Sequence, residues 1–594
     1  MDGPEPPRAG PPPDESEGRI GPAIVLFLAG LTLFAVALVL EPLATYALFG
    51  SDTGEYFRLT HDLVTTGHLP TAAYTGWGSG YPDFPGIFLL AGAGAGALAV
   101  DPLSALTVIV PVTAALGTVP LFLLFRRLLP RPILAVLGAG VGAVFMPHLF
   151  SIAHPAPLAL GDFFVIVALW CFVEGRRDAR WYGPLAVVSG ALVVTHHLSS
   201  YFLLVSALGG LLLLELWHPG SWSNRFPARE FVFLAAFAAV VLAYWFLDAP
   251  QFLADLAGGL PGLSAAWLVP AEAAALAGVA VSALLVRWRR RRGTRHRFRF
   301  RYPSDRSLLR DALLIGGAEV AGIASLTVVP LPGTTQTTVG VAIAFFAPLL
   351  ATVVLATGSR RLLTSSRLGP FALTWLAALG LSAVVAIASG LGEFSPARHA
   401  EYLLLPTGLL VAVGFGHLAG RWAVPRGRRA VVAAGVAAVV LLGANAAIAY
   451  PPPTVFGGFE EGLTAGDATL WLWVGLGVPG WATIASDHRL SSMVFGFDGN
   501  PATWDSTGPL FTGTDRSAAL AQLSGALAPH VERPINAVAI DGTMRTGVAL
   551  DPSELAQPMS EAALGWLSAP PFVPVYENGP QVVYWVDSGS AAGA

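Results

Sequence analysis

The chain has 594 residues, of which 54% are hydrophobic and only 12% charged. Soluble domains carry about 25% charged residues, so this chain cannot cover itself with charge and most of it is expected to face lipid. So apolar a composition argues against nucleic-acid binding, the formal net charge of −4 is uninformative until it is split by location, and a single cysteine, Cys171, excludes an intrachain disulfide.

Residues 1–20 are proline-rich and acidic, which predicts a disordered cytoplasmic tail. They lack the basic start and the small-residue cleavage site of a signal peptide, so the apolar stretch from Pro22 is expected to be retained. Apolar stretches near the length that crosses a bilayer, about 20 residues, occur at 22–46, 102–125, 132–150, 161–174, 183–197, 200–217, 230–247, 268–286, 309–329, 338–357, 369–391, 402–420 and 429–449. A further piece at 86–100 is glycine-rich and short for a span.

Every basic residue is an arginine, and their placement decides how 86–100 is treated. If it does not cross, one set of loops holds 26 arginines, among them Arg126, Arg127, Arg176, Arg177, Arg225 and eleven between Arg287 and Arg310. The other set holds only Arg58 and Arg398 before residue 450. The positive-inside rule then places the first set in the cytoplasm. The loop 47–101 and residues 451–594 are expected outside. The basic run 287–301 reads as a loop held against anionic headgroups.

Beyond residue 450 the long apolar runs stop. WATIASD (481–487) and NAVAID (536–541) read as buried strands, 515–528 as a helix, and 572–586 as a hairpin turning at Asn578–Gly579. The expected organisation is a disordered tail 1–20, a membrane region 21–450 and an extracytoplasmic α/β domain 451–594. No Walker loop, HExxH or CxxC occurs.

Polar residues near lipid are expensive and invite a functional reading. Asp52 lies where the chain leaves the first span, and Tyr56, Leu59 and Leu63 at helical spacing predict an amphipathic helix over 54–66 on the outer surface. Asp52 and Glu55 match an N-capping box and equally suit a catalytic acid–base site. Trp77 and Tyr81 in WGSGYPDF fit a substrate loop or an aromatic belt. His154 and Asp162 bracket the entry to the fourth span. Asp162 reads as an N-cap or as a second acid, and with His154 as a candidate metal-ligand pair. His196 and His197, in a tight outer turn, suit a metal or a phosphate, and equally suit interfacial polar residues with no ligand. Arg398 suits a phosphate, because its planar fork donates two parallel hydrogen bonds. It equally suits a pair with Glu393 or Glu401.

This arrangement resembles the GT-C superfamily of membrane glycosyltransferases over about residues 20–450. SDTGEY (51–56) matches the acidic motif opening the first outer loop, and WGSGYPDF with the apolar piece after it matches the rest of that loop. Asp162 falls where the family often has a second acid, and Arg398 falls in the late outer loop that contacts phosphate. The resemblance implies about 13 transmembrane helices in a polytopic α-helical membrane protein. It also implies sugar transfer from a polyprenyl-phosphate donor to a hydroxyl of a glycan, lipid or protein. Asp52 would be the base of an inverting displacement, and Arg398, with His196 and His197, would hold the donor phosphate. The tail lacks W-W-D-Y-G, and Trp504–Asp505 does not supply it. Asp162 has no D-x-D or D-x-E partner, since Phe164 occupies the other place. The pattern is nearest to the protein mannosyltransferase-like members. It argues against sequon glycosylation and against an obligatory metal, a divalent cation remaining a candidate cofactor.

Two other functions fit the composition. A transporter or flippase would need paired repeats and charges within spans, of which only Glu319 is seen. A noncatalytic scaffold would leave Asp52, Asp162 and Arg398 pointing apart, whereas an enzyme would bring them to one cavity.

Overall fold

The computed structural model describes residues 20–70, 74–78, 80–129, 131–223, 225–250, 252–253, 267–292, 368–389, 396–426, 436, 439–440, 442–447, 449–450, 453, 459–527, 532–550 and 556–587. The expected tail 1–19, the spans 309–329 and 338–357 with Glu319, and most of 429–449 lie outside the described residues.

The chain is a polytopic helical membrane protein with a small sheet near its C-terminus. Among the described residues, seven helices are long and apolar enough to cross a membrane, or eight if one bent pair counts as a span. Proline opens several of them: α1 (Pro22–Leu40), α5 (Pro132–Val144) and α7 (Pro157–Gly175) each carry it in the first turn, where its missing N–H would be unbonded anyway. The helix α4 (Pro102–Leu128) likewise begins on proline. Apolar residues surround α1, and Leu26 and Leu33 project outward at 73% and 70% exposure, as lipid-facing residues do.

The expected span 132–150 is broken. After α5 the chain bends by 60° into α6 (Met146–Ala153). Phe145 is extended at the break, and Pro147 has no N–H to bond back into α5. The piece 86–100 forms α3 (Gly86–Leu98), a short apolar helix. The remaining helices are α8 (Tyr182–Val193), α9 (His197–Trp217), α10 (Ala228–Leu247), α11 (Leu268–Arg291), α12 (Gly369–Ser389) and α13 (Pro396–Arg426).

Helix α2 (Thr53–Thr66) stops at Gly67, whose φ of 79° places it in the left-handed region. The sequence predicts that its apolar face lies on the membrane surface. Instead Tyr56 and Leu59 are buried with Ile87 and Phe88 of α3 and Leu106 of α4. Burial against helices replaces contact with headgroups.

The α2 face opposite meets the C-terminal region. A Cβ on Gly54 would stand 2.2 Å from the Ser492 carbonyl oxygen, and one on Gly496 would stand 2.0 Å from the Gly54 carbonyl oxygen. Only glycine permits that approach. Strand β1 (Leu48–Phe49) pairs antiparallel with β2 (Gly462–Leu463), so a strand from each region joins the two. After α14 (Ala465–Gly477), β3 (Ile484–Ala485) leads into α15 (His488–Met493), and α16 (Arg516–Gln522) falls within the predicted helix. Then come β4 (Ala537–Ile540), α17 (Glu561–Leu567), β5 (Phe572–Asn578) and β6 (Gln581–Val586). The sheet order is β3-β4-β6-β5, parallel between β3 and β4 and otherwise antiparallel. The hairpin turns at Gly579–Pro580, one residue later than predicted, because Asn578 still pairs with Gln581.

Candidate active site

A cavity of about 560 Å³ opens where α2, the α6–α7 turn, the α8–α9 turn and the start of α13 meet. That volume suits a small-molecule or cofactor group. Asp52, Trp77, Tyr81, His154, His196, His197 and Arg398 all line it. They come from five separate segments of sequence. Two predicted residues do not line it, Glu55 and Asp162.

Asp52 is the N-cap residue of α2, yet its side chain caps nothing, so the capping box with Glu55 is not formed. Its Oδ1 lies 2.7 Å from Nε2 of His488. Its Oδ2 accepts from the hydroxyls of Tyr56 and Tyr81 at 3.3 and 3.4 Å. The other ring nitrogen of His488, Nδ1, lies 2.7 Å from Asp505 Oδ1, and Asp505 Oδ2 accepts from the Trp77 indole N–H at 2.7 Å. A histidine thus sits between two carboxylates. Burial opposes a charged imidazole there, but the hydrogen bonds and charges of Asp505 and Asp52 outweigh it and hold His488 well above its usual range.

His488 is fixed from behind. It opens α15, which Asp487 caps by accepting from the Leu490 N–H at 3.0 Å. The fully buried Arg489 spans Asp487 and Asp541 at 3.0 and 2.9 Å. Trp77 and Trp504 meet the imidazole edge-on, at 5.0 and 5.3 Å between ring centres.

Glu55 is fully buried behind the cavity. Its Oε1 accepts from the Tyr74 hydroxyl at 2.5 Å and the Gly78 N–H at 3.0 Å. Burial and the neighbouring Asp52 charge push its carboxyl up to about 8 against these hydrogen bonds. It braces the loop that carries Trp77.

Asp162 is no N-cap. Ala156 holds that position, and Asp162 lies inside α7, buried, with Oδ2 3.2 Å from His148 Nδ1. Its expected partner His154 is elsewhere: His154 Nδ1 is 2.7 Å from the Phe150 carbonyl oxygen, and Nε2 faces Glu461 at 3.6 Å. Burial would raise the Glu461 carboxyl, but the His154 charge and the Ser51 hydrogen bonds bring it down to about 2. The donor set with metal-ligand spacing among the described residues is His148, Asp162 and Glu401.

His196 caps α9, its Nδ1 accepting from the Ser199 N–H at 3.3 Å and standing 2.7 Å from Ser199 Oγ. Ser199 Oγ is 2.7 Å from the Tyr402 hydroxyl on α13. His197 packs on Phe252, 4.0 Å between ring centres.

Sequence reasoning missed His488, Asp505 and Glu461. The one available signal for His488 was the charged run Asp487-His488-Arg489 directly after a buried strand. Trp504–Asp505, set aside as an acceptor motif, is part of the site as the support of His488.

No protein-family model matches the chain, and no curated protein matches it. Solved structures do. Archaeal oligosaccharyltransferase AglB from Archaeoglobus fulgidus, in complex with an inhibitory peptide and a dolichol-phosphate, is 14% identical and has a TM-score of 0.56 over 87% of this chain and 69% of that one. The oligosaccharyltransferase of the same organism in complex with Zn and sulfate has a TM-score of 0.53 at 14% identity, over 87% and 68%. ArnT from Cupriavidus metallidurans, in the apo state, is 13% identical over 95% and 97%, with a TM-score of 0.36 that carries no weight. At such identity the likeness is one of fold alone.

Proposed function

We propose that the chain is a membrane glycosyltransferase that moves a sugar from a polyprenyl-phosphate donor to an acceptor hydroxyl on the extracytoplasmic side. The observation that carries this reading is that Asp52 and Arg398, 346 positions apart in sequence, line one cavity with three histidines and six aromatic residues, Trp77 and Tyr81 among them. A base and a phosphate-binding cation in one pocket are what transfer from a lipid phosphate needs. The fold shared with a protein solved with dolichol-phosphate supports it.

In the proposed step, Asp52 takes the proton of the acceptor hydroxyl. The acceptor oxygen forms a bond to the anomeric carbon as the bond from that carbon to the phosphate oxygen breaks, with inversion. The phosphate leaves with the electron pair, and Arg398 offsets its charge, as preorganised electrostatics does. His488 is a positioning residue: its imidazolium fixes the carboxylate of Asp52 and balances Asp505. A metal bound in the cavity would supply similar charge compensation, but Asp52 Oδ1 is already engaged by His488. The acceptor class, whether glycan, lipid or protein, follows from assay.

The test is transfer in vitro from a panel of polyprenyl-phosphate sugars. Asp52→Asn should lower turnover by about 10²–10⁴ while the protein elutes and melts as wild type. Wild-type turnover in Asp52→Asn would end the assignment.

A further inference from the structure

Behind the cavity, three polar side chains meet from three helices: His148 of α6, Asp162 of α7 and Glu401 of α13. All three are more than nine-tenths buried. Their donor atoms lie within 4.8 Å of one another. His148 Nδ1 is 3.2 Å from Asp162 Oδ2 and 3.8 Å from Glu401 Oε1, yet neither contact has hydrogen-bond geometry. Nδ1, both Asp162 oxygens and Glu401 Oε1 have no hydrogen-bond partner among the described residues. Two buried carboxylates facing one imidazole need a compensating cation or proton, because desolvated charge costs several kcal/mol.

Ligands bound at about 2.0–2.2 Å around a tetrahedral ion stand roughly 3.3–3.6 Å apart, and the two separations from Nδ1 straddle that range. A proton shared between the carboxylates would leave the imidazole nitrogen unused. We propose that His148, Asp162 and Glu401 bind one divalent transition-metal ion of the Zn²⁺ class. Imidazole with carboxylate suits such ions. The site is separate from the cavity and does not require the proposed transfer chemistry. Its role is structural: the ion ties the bend at Phe145 to α7 and α13. One turn before Glu401, α13 carries Arg398, so the ion fixes the register of the arginine that lines the cavity.

The experiment uses the full chain in detergent, stripped by chelator and titrated with Co²⁺. One Co²⁺ per chain should bind, with the intense visible d–d absorption of a tetrahedral site. His148→Ala and Glu401→Gln should each weaken binding by about tenfold or more, no less than the loss of a supporting residue around a ligand. Asp52→Asn should leave the Co²⁺ spectrum unchanged. Zn²⁺ should raise the Tm of wild type and not of the two variants. X-ray absorption of the Zn²⁺-loaded wild type should show one imidazole among oxygen ligands, a readout that needs no variant to fold. The proposal fails if wild type gives no d–d band, if the band survives both substitutions, or if the absorption spectrum shows no imidazole. It also fails if Asp52→Asn removes the band, which would put the ion in the cavity.

Discussion

His488 gives the site its pH dependence. Its folded-state value is raised above the unfolded one, which is near 6.5. The stability from this contact is therefore fully present below about pH 6.5 and is lost as pH rises through the raised value. His488→Gln should cost about 1–3 kcal/mol at pH 6, a buried-pair penalty discounted because the Asp52 and Asp505 side chains are 25% and 29% exposed. The gap in Tm between wild type and His488→Gln should shrink toward alkaline pH, and a constant gap would mean the imidazole is neutral throughout. Glu55 shifts in the same direction over a lower pH window. Its carboxyl, near 8 when folded, holds a proton that the unfolded chain releases near 4.3, so this group lowers stability as pH rises from about 4.3 to 8. Glu55→Gln should retain most transfer activity and flatten the stability profile over that window. Loss of transfer as complete as in Asp52→Asn would give Glu55 a chemical role and remove its bracing one. That contrast was hidden in sequence, where Asp52 and Glu55 stand three residues apart as one motif. Burial separates them.

At the scale of elements, the contact that matters is α2 against α15 and the turn after it. The Gly54–Gly496 approach brings His488 within reach of Asp52. A methyl group on Gly496 would meet the Gly54 backbone, which no rotamer change can relieve. Gly496→Ala should cost about 1–3 kcal/mol, as overpacking does. It should also lower transfer by loosening the His488–Asp52 contact, read as a lower Tm and faster proteolysis at the β1–β2 junction. Unchanged Tm and activity would show that the two elements are not tightly docked. The other elements were legible to different degrees. Apolar runs marked α1, α9 and α10 well, because a lipid-facing helix is read from composition. The 60° bend in 132–153 was not, because Pro147 near the end of an apolar run is compatible with a kinked continuation or a break, and packing selects.

Across the whole molecule, α7 and α9 both begin at the cavity and end at arginine pairs. Arg127 meets Glu174 at the end of α7, and Arg290 meets Glu215 at the end of α9 at 2.7 Å. The 19 residues of α7 span about 28 Å, close to a hydrocarbon core. Arginine ends and cavity thus lie on opposite faces of the membrane region, which supports a cytoplasmic arginine face. The sole cysteine is 1% exposed, so single-cysteine mapping has no background. Ser568→Cys, in the C-terminal region, should react with an impermeant maleimide in intact cells. Ala179→Cys, between α7 and α8, should react only after permeabilisation. The reverse pattern would invert the topology and move the cavity to the cytoplasm.

By itself the sequence determined that the chain is a helical membrane protein, where several of its described spans begin, and that its polar residues gather near one end of them. Those properties follow from the cost of placing charge in lipid, which acts locally and leaves its mark on composition. Tertiary structure alone decided which polar residues meet. Asp52 faces His488 from 436 positions away, and Asp162 turns from His154 to His148 and Glu401. Such pairings depend on close backbone approaches and helix bends whose energies come from packing between distant segments, and no local pattern encodes them.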